Sequence, residues 1–61
     1  MKKRDLEKRL KELGWQFERH GGNHDVWTNG QMCEFVPRHN EVKEVLAKKI
    51  LRRAEHNPPL K

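Results

Sequence analysis

Four histidines, His20, His24, His39 and His56, stand in a chain of 61 residues. Each carries a ring that can exchange a proton near neutral pH. Two of them have arginines close by in sequence. Arg19 lies just before the Gly21-Gly22 pair that His24 follows, and Arg38 is adjacent to His39. An imidazole beside a guanidinium suits one chemistry well. RNA brings its own nucleophile, the 2′-hydroxyl, so cleaving it takes a base for that hydroxyl, a cation for the transition-state charge and a proton for the leaving oxygen. His24 can serve as the base, Arg19 or Arg38 as the phosphate clamp, and His39 as the acid.

A metal can be drawn on the same residues, since His20-x3-His24 and Cys33-x5-His39 give four potential zinc ligands. Strand alternation argues against it, because it sends His20 and His24 to opposite faces. The sequence supplies a single sulfur, and Cys33 reads better as a small core residue in mid-sheet. The reading therefore needs no metal and no cofactor.

Fourteen Lys and Arg oppose nine acids, for a net charge of +5. That excess raises the local concentration of polyanions, and release of their counterions favours binding to a phosphate chain. Charge alone separates neither RNA from DNA nor binding from catalysis. The lone cysteine forbids an intrachain disulfide, and no apolar run is long enough to span a membrane. A single soluble, cytoplasmic domain over residues 1–61 is the expectation, with 57–61 a loose tail in which Pro58-Pro59 permits no helix.

Leu6, Leu10 and Leu13 form one helical stripe, and Gly14 stands where a helix ends, so the spacing predicts a helix over 3–13. Alternation over 15–20, 23–28 and 31–36, punctuated by Gly21-Gly22 and Asn29-Gly30, predicts a three-stranded meander stopped at Pro37. Asn40 can cap a second helix with Val42, Val45, Leu46 and Ile50 on its buried stripe. Lys43, Lys48, Lys49 and Arg52 are its candidate RNA contacts, although basic residues at a helix carboxyl end also answer the helix dipole. Lys2-Lys3-Arg4 has the same two readings. The fold class expected is α+β: helix, three antiparallel strands, helix, with both helices on one face.

If each hairpin turns on its glycine dipeptide, Phe17, Val26 and Cys33 line up across the sheet, as do Arg19, His24 and Phe35. Trp15, Phe17, Arg19, His24, Val26, Cys33 and Phe35 then share the face expected to carry the helices. His24, Arg19, Arg38, His39 and the amino end of the second helix would gather at one rim, where free N–H groups favour phosphate. The other face would leave Trp27 and Met32 as a cross-strand pair, open for partner contact or base stacking unless a helix or a second copy covers them.

Gly21-Gly22-Asn23-His24 ahead of Val26-Trp27, then Val36-Pro37-Arg38-His39 and a lysine-rich helix over 42–52, resemble the HicA toxin family along residues 5–54. The resemblance implies a fold like that of double-stranded-RNA-binding domains. It also implies an mRNA-cleaving toxin of a type II toxin–antitoxin system, an endoribonuclease held inactive by a HicB-type antitoxin. The family's catalytic histidine falls on His24. Asn23 stands where members often have serine, and Asn40-Glu41 follows His39 where many have glycine. Two other classes remain: a non-catalytic double-stranded-RNA-binding module, which would bind RNA equally well without His24, and a protein-interaction domain centred on Trp27 and Met32.

Overall fold

The computed structural model describes residues 1–59. Its elements run α1 (Lys3–Glu12), β1 (Gln16–Gly21), β2 (His24–Thr28), β3 (Cys33–Pro37) and α2 (Glu44–His56), with the strands forming one antiparallel sheet in the order β1-β2-β3. The architecture is the expected α-β-β-β-α, and among the described residues no helix is long and apolar enough to cross a membrane.

Helix α1 buries Leu6 and Leu10, one turn apart, and stops where Gly14 takes a φ of 91°. That left-handed conformation suits glycine, and Pro59 packs where a Cβ would stand, 2.7 Å from its Cγ. Residues 57–59 lie against the rest of the fold at these points. The Asn29 side-chain amide donates to the Asn57 carbonyl at 2.8 Å, and the Asn57 side-chain amide donates to Arg53 O at 2.8 Å. The rest of the expected tail lies outside the described residues.

The hairpins turn differently from the dipeptide rule. Gly21 pairs with His24, so the first turn is Gly22-Asn23. Thr28 pairs with Cys33, so the second loop holds four residues, 29–32. A two-residue Asn-Gly turn needs positive φ at both positions, and among the described residues only glycines have positive φ. Asn29 instead accepts the N–H groups of Gln31 and Met32 on Oδ1, at 2.9 and 2.8 Å, and builds the loop with its side chain. In β1 the register also slips between Phe17 and Arg19, leaving Glu18 as an extra residue.

The expected burial is inverted as well. His24, Val26, Cys33 and Phe35 do share a face, but it is the one without the helices: Cys33 is exposed and Phe35 is 58% exposed, although Val26 itself is buried. The helices cover the other face, where Trp27 and Val36 join Leu6, Leu10, Trp15, Val42, Ala47, Ile50 and Ala54 in the core. Trp27 is therefore no exposed platform, and Met32 packs against the same core. Bulk decides the outcome, because the Trp27 face offers the helices an indole whose burial Cys33 and Val26 cannot match.

Helix α2 begins at Glu44, not beside Asn40, and Lys43 at its start makes no side-chain cap. Residues 40–42 run alongside the start of the chain instead. The Lys3 amide donates to Asn40 O at 2.9 Å, so Asn40 serves α1 with its carbonyl rather than α2 with its side chain. The buried stripe of α2 is Ala47, Ile50 and Ala54, at helical spacing, while Val45 is 72% exposed and Leu46 is exposed. Val42 is buried ahead of the helix. Trp15 donates its indole N–H to Ala54 O at 3.3 Å, fastening the last turns of α2 to the sheet.

Glu34 is enclosed beside this core. Arg53 Nε lies 3.5 Å from its Oε2, which has no hydrogen-bond partner. Burial pushes the Glu34 carboxyl above its ordinary value of 4.5, with Arg53 opposing only in part. A raised carboxyl means the folded form keeps a proton the unfolded chain has lost, so stability falls as pH climbs from about 4.5 through the raised value. Glu34→Gln is expected to melt above the parent at pH 7 and level with it near pH 4, as read by circular dichroism. A lower melting temperature at pH 7 would contradict this.

Candidate nucleic-acid interface

The site is built from the end of the sheet where β1 turns into β2. Gly22, with φ 61°, lets the chain reverse within two residues, and His24 emerges as the first residue of β2. Its partner on β3 is Pro37, so the chain leaving β3 must run past the turn. The Arg38 amide donates to Asn23 O at 3.3 Å, and its Nη1 donates to Gly22 O at 3.3 Å. Gly22, Asn23, Arg38 and His39 line an open cavity of about 450 Å³. The polypeptide itself thus ties Arg38 to the glycine turn.

His24 is exposed on the open face, and its ring meets Phe35 edge-on with centroids 6.5 Å apart. Among the described residues its imidazole makes no hydrogen bond or ion pair, so both ring nitrogens are open to a ligand. His39 is exposed on the cavity wall.

Arg19 does not sit beside His24. It pairs with Val26 on the sheet, and its guanidinium lies 3.0 Å from Glu18 Oε1. Residues 40–43 separate His39 from the amino end of α2. Lys48, Lys49 and Arg52 line a separate cavity with Val45, and Lys43 is exposed just before α2. The structure thus ties Arg38 to the glycine turn with His39 beside it, places His24 just past that turn outside the lining of their cavity, and leaves the helix cations as a second basic group.

Sequence reasoning passed over Asp25. It is 3% exposed and gathers three cationic or protonatable side chains from three segments. Lys3 of α1 reaches Oδ2 at 2.5 Å, while His20 Nδ1 and Arg38 Nε approach Oδ1 at 2.7 and 3.5 Å. Burial alone would raise its carboxyl, but hydrogen bonds from Lys3 and His20, with their charges, outweigh that and hold it below 3.8. Asp25 is therefore an anion that fixes its neighbours. An acid inside an apolar strand, just before Val26-Trp27, was the available signal.

His20 and His24 lie on opposite faces of the hairpin, and among the described residues no three His, Cys, Asp or Glu side chains gather as a metal-holding group.

The model of the HicA toxin of bacterial toxin–antitoxin systems matches residues 4–55, most of the chain. The chain belongs to the HicA toxin family. Membership makes it a toxin of a toxin–antitoxin system, and an antitoxin partner follows from that. The matched span runs from the first turn of α1 to the last turn of α2, so it takes in His24, Arg38 and His39 together. No curated protein and no solved structure matches the chain.

Proposed function

We propose that this HicA-family chain binds RNA and cleaves it as a metal-independent endoribonuclease, with His24 transferring the proton. The carrying observation is an exposed imidazole with no partner among the described residues, next to the glycine turn to which Arg38 is bonded by backbone and side chain. A phosphodiester on Arg38 and the His39 side of the cavity would lie beside that ring. His24 acts as general base or acid, the 2′-oxygen attacks phosphorus, and the bond to the 5′-oxygen breaks. Arg38 spreads the charge of the pentavalent transition state. The cations of α2 extend the phosphate track without joining the chemistry.

A HicB-type antitoxin is the partner this reading calls for, and covering the His24 end of the sheet is the direct way to silence the enzyme. The deciding experiment is digestion of a plain transcript by the purified chain in the presence of a metal chelator. Cleavage is expected, and it should cease at a position carrying a 2′-deoxy sugar. An intact transcript bound with steep salt dependence would instead identify a non-catalytic binding module.

A further inference from the structure

The chain has four aromatic residues other than histidine, and three of them belong to the side of the sheet that carries the helices. Trp15 and Trp27 lie in the core, and Phe17 pairs with Trp27, their rings meeting edge-on with centroids 6.0 Å apart. Phe35 is the fourth. It stands on the other face, more than half exposed, so burial in the core does not account for it. Its neighbour on β2 is Val26, which is buried, and Arg19 continues the same row on β1. Arg19 lies 3.0 Å from Glu18, and Cys33 Sγ donates to Glu18 Oε1 at 3.5 Å, so the rest of this face is polar. One exposed ring among such groups is too little apolar surface for a helix or a second copy of the chain. It matches the size of a single nucleobase.

A lone phenyl on a surface is ordinary, but this one stands against the candidate catalytic imidazole. The rings of Phe35 and His24 lie on one face, 6.5 Å apart, with their planes at 81°. The cross-strand partners of His24 are Gly21 and Pro37, so no long side chain shares its row. Because the planes are nearly perpendicular, a flat group lying on the phenyl ring turns its rim toward the imidazole. A nucleobase carries its ribose on that rim, and with it the 2′-hydroxyl.

We propose that Phe35 is a substrate-binding residue of the cleavage site, the platform on which one unpaired base of the RNA stacks so that its ribose meets His24. This deepens the ribonuclease reading and rests on it. Within a duplex both faces of a base are covered by its neighbours, so the platform selects single strands and loops. A phenyl ring forms no hydrogen bonds with base edges, so discrimination among bases is weak and follows stacking strength.

The test uses the full chain as Phe35→Ala, Phe35→Leu and Phe35→Trp beside the parent. Affinity is measured for a single-stranded 2′-fluoro oligonucleotide, which lacks the nucleophile, and for a series with one abasic sugar stepped along it. Phe35→Ala and Phe35→Leu are expected to bind about 10-fold more weakly, while Phe35→Trp binds like the parent. One abasic position should weaken the parent by a similar factor and leave Phe35→Ala unaffected. Parent-like affinity in Phe35→Ala overturns the platform, and lost self-association in that variant would assign the face to a second copy instead. Slower cleavage at unchanged affinity also overturns it, leaving Phe35 as a prop for the His24 ring. So does equal cutting of a perfect duplex and its single strand. If the parent binds with this Phe35 dependence yet cuts no RNA, the ribonuclease reading fails alone. If the parent cuts and Phe35→Ala binds equally well, only the platform is lost.

Discussion

His24→Ala is expected to lower RNA cleavage by about 10²- to 10⁴-fold, the range that a positioned acid–base group contributes. Its stability should stay within about 0.5 kcal/mol of the parent, because an exposed ring with no internal hydrogen bond leaves nothing behind when it goes. RNA affinity should also hold, since phosphate attraction resides in Arg38 and the cations of α2. The measurement is initial cleavage rate alongside filter binding and a thermal melt. Undiminished cleavage would remove His24 from the reaction, whereas lost binding would recast it as a contact residue.

Trp27→Ala should have the largest effect on folding. The indole is 2% exposed and central to the cluster that joins both helices to the sheet. Truncating a buried aromatic side chain costs about 3–5 kcal/mol. A domain of this length holds only about 3–9 kcal/mol in total. The variant is therefore expected to be largely unfolded at 37 °C by circular dichroism, with RNA cleavage falling in proportion. Phe35→Ala, on the open face, should melt within about 0.5 kcal/mol of the parent. Comparable melts for the two variants would contradict the assignment of faces.

That assignment shows where the sequence was legible and where it was not. The leucine stripe, the glycine stop at Gly14 and the strand-turn alternation are local signals, and they yield the order of elements. Which face carries the helices is not local. Nor is the register, which two turns and one bulge set: counting from Gly21-Gly22 and Asn29-Gly30 placed Arg19 next to His24, whereas the sheet places Arg19 next to Val26. The second hairpin moved by two residues, so Val26, Cys33 and Phe35 kept a common face. Only the location of the helices decided that this face stays open.

The candidate site fared in the same way. His24 and Arg38 come together because both border one turn, a relation the sequence displays. The Asp25 cluster remained hidden because it depends on register, since only the pairing found here sets His20 opposite Asp25. Helix α2 misled through composition. Val45 and Leu46 look like core residues, but Ala47 and Ala54 permit the closer approach and take the buried side.

The second hairpin loop has a consequence for chemical ageing. Asn-Gly is the dipeptide most prone to deamidation, which starts when the glycine nitrogen attacks the asparagine side-chain carbonyl to form a succinimide. Here the Gly30 N–H is held by Thr28 Oγ1 at 2.9 Å, and the Asn29 carboxamide is bonded at both ends, to the loop and to Asn57. Ring closure must break those bonds first, so this spot becomes vulnerable only when the loop and the segment after α2 part from each other.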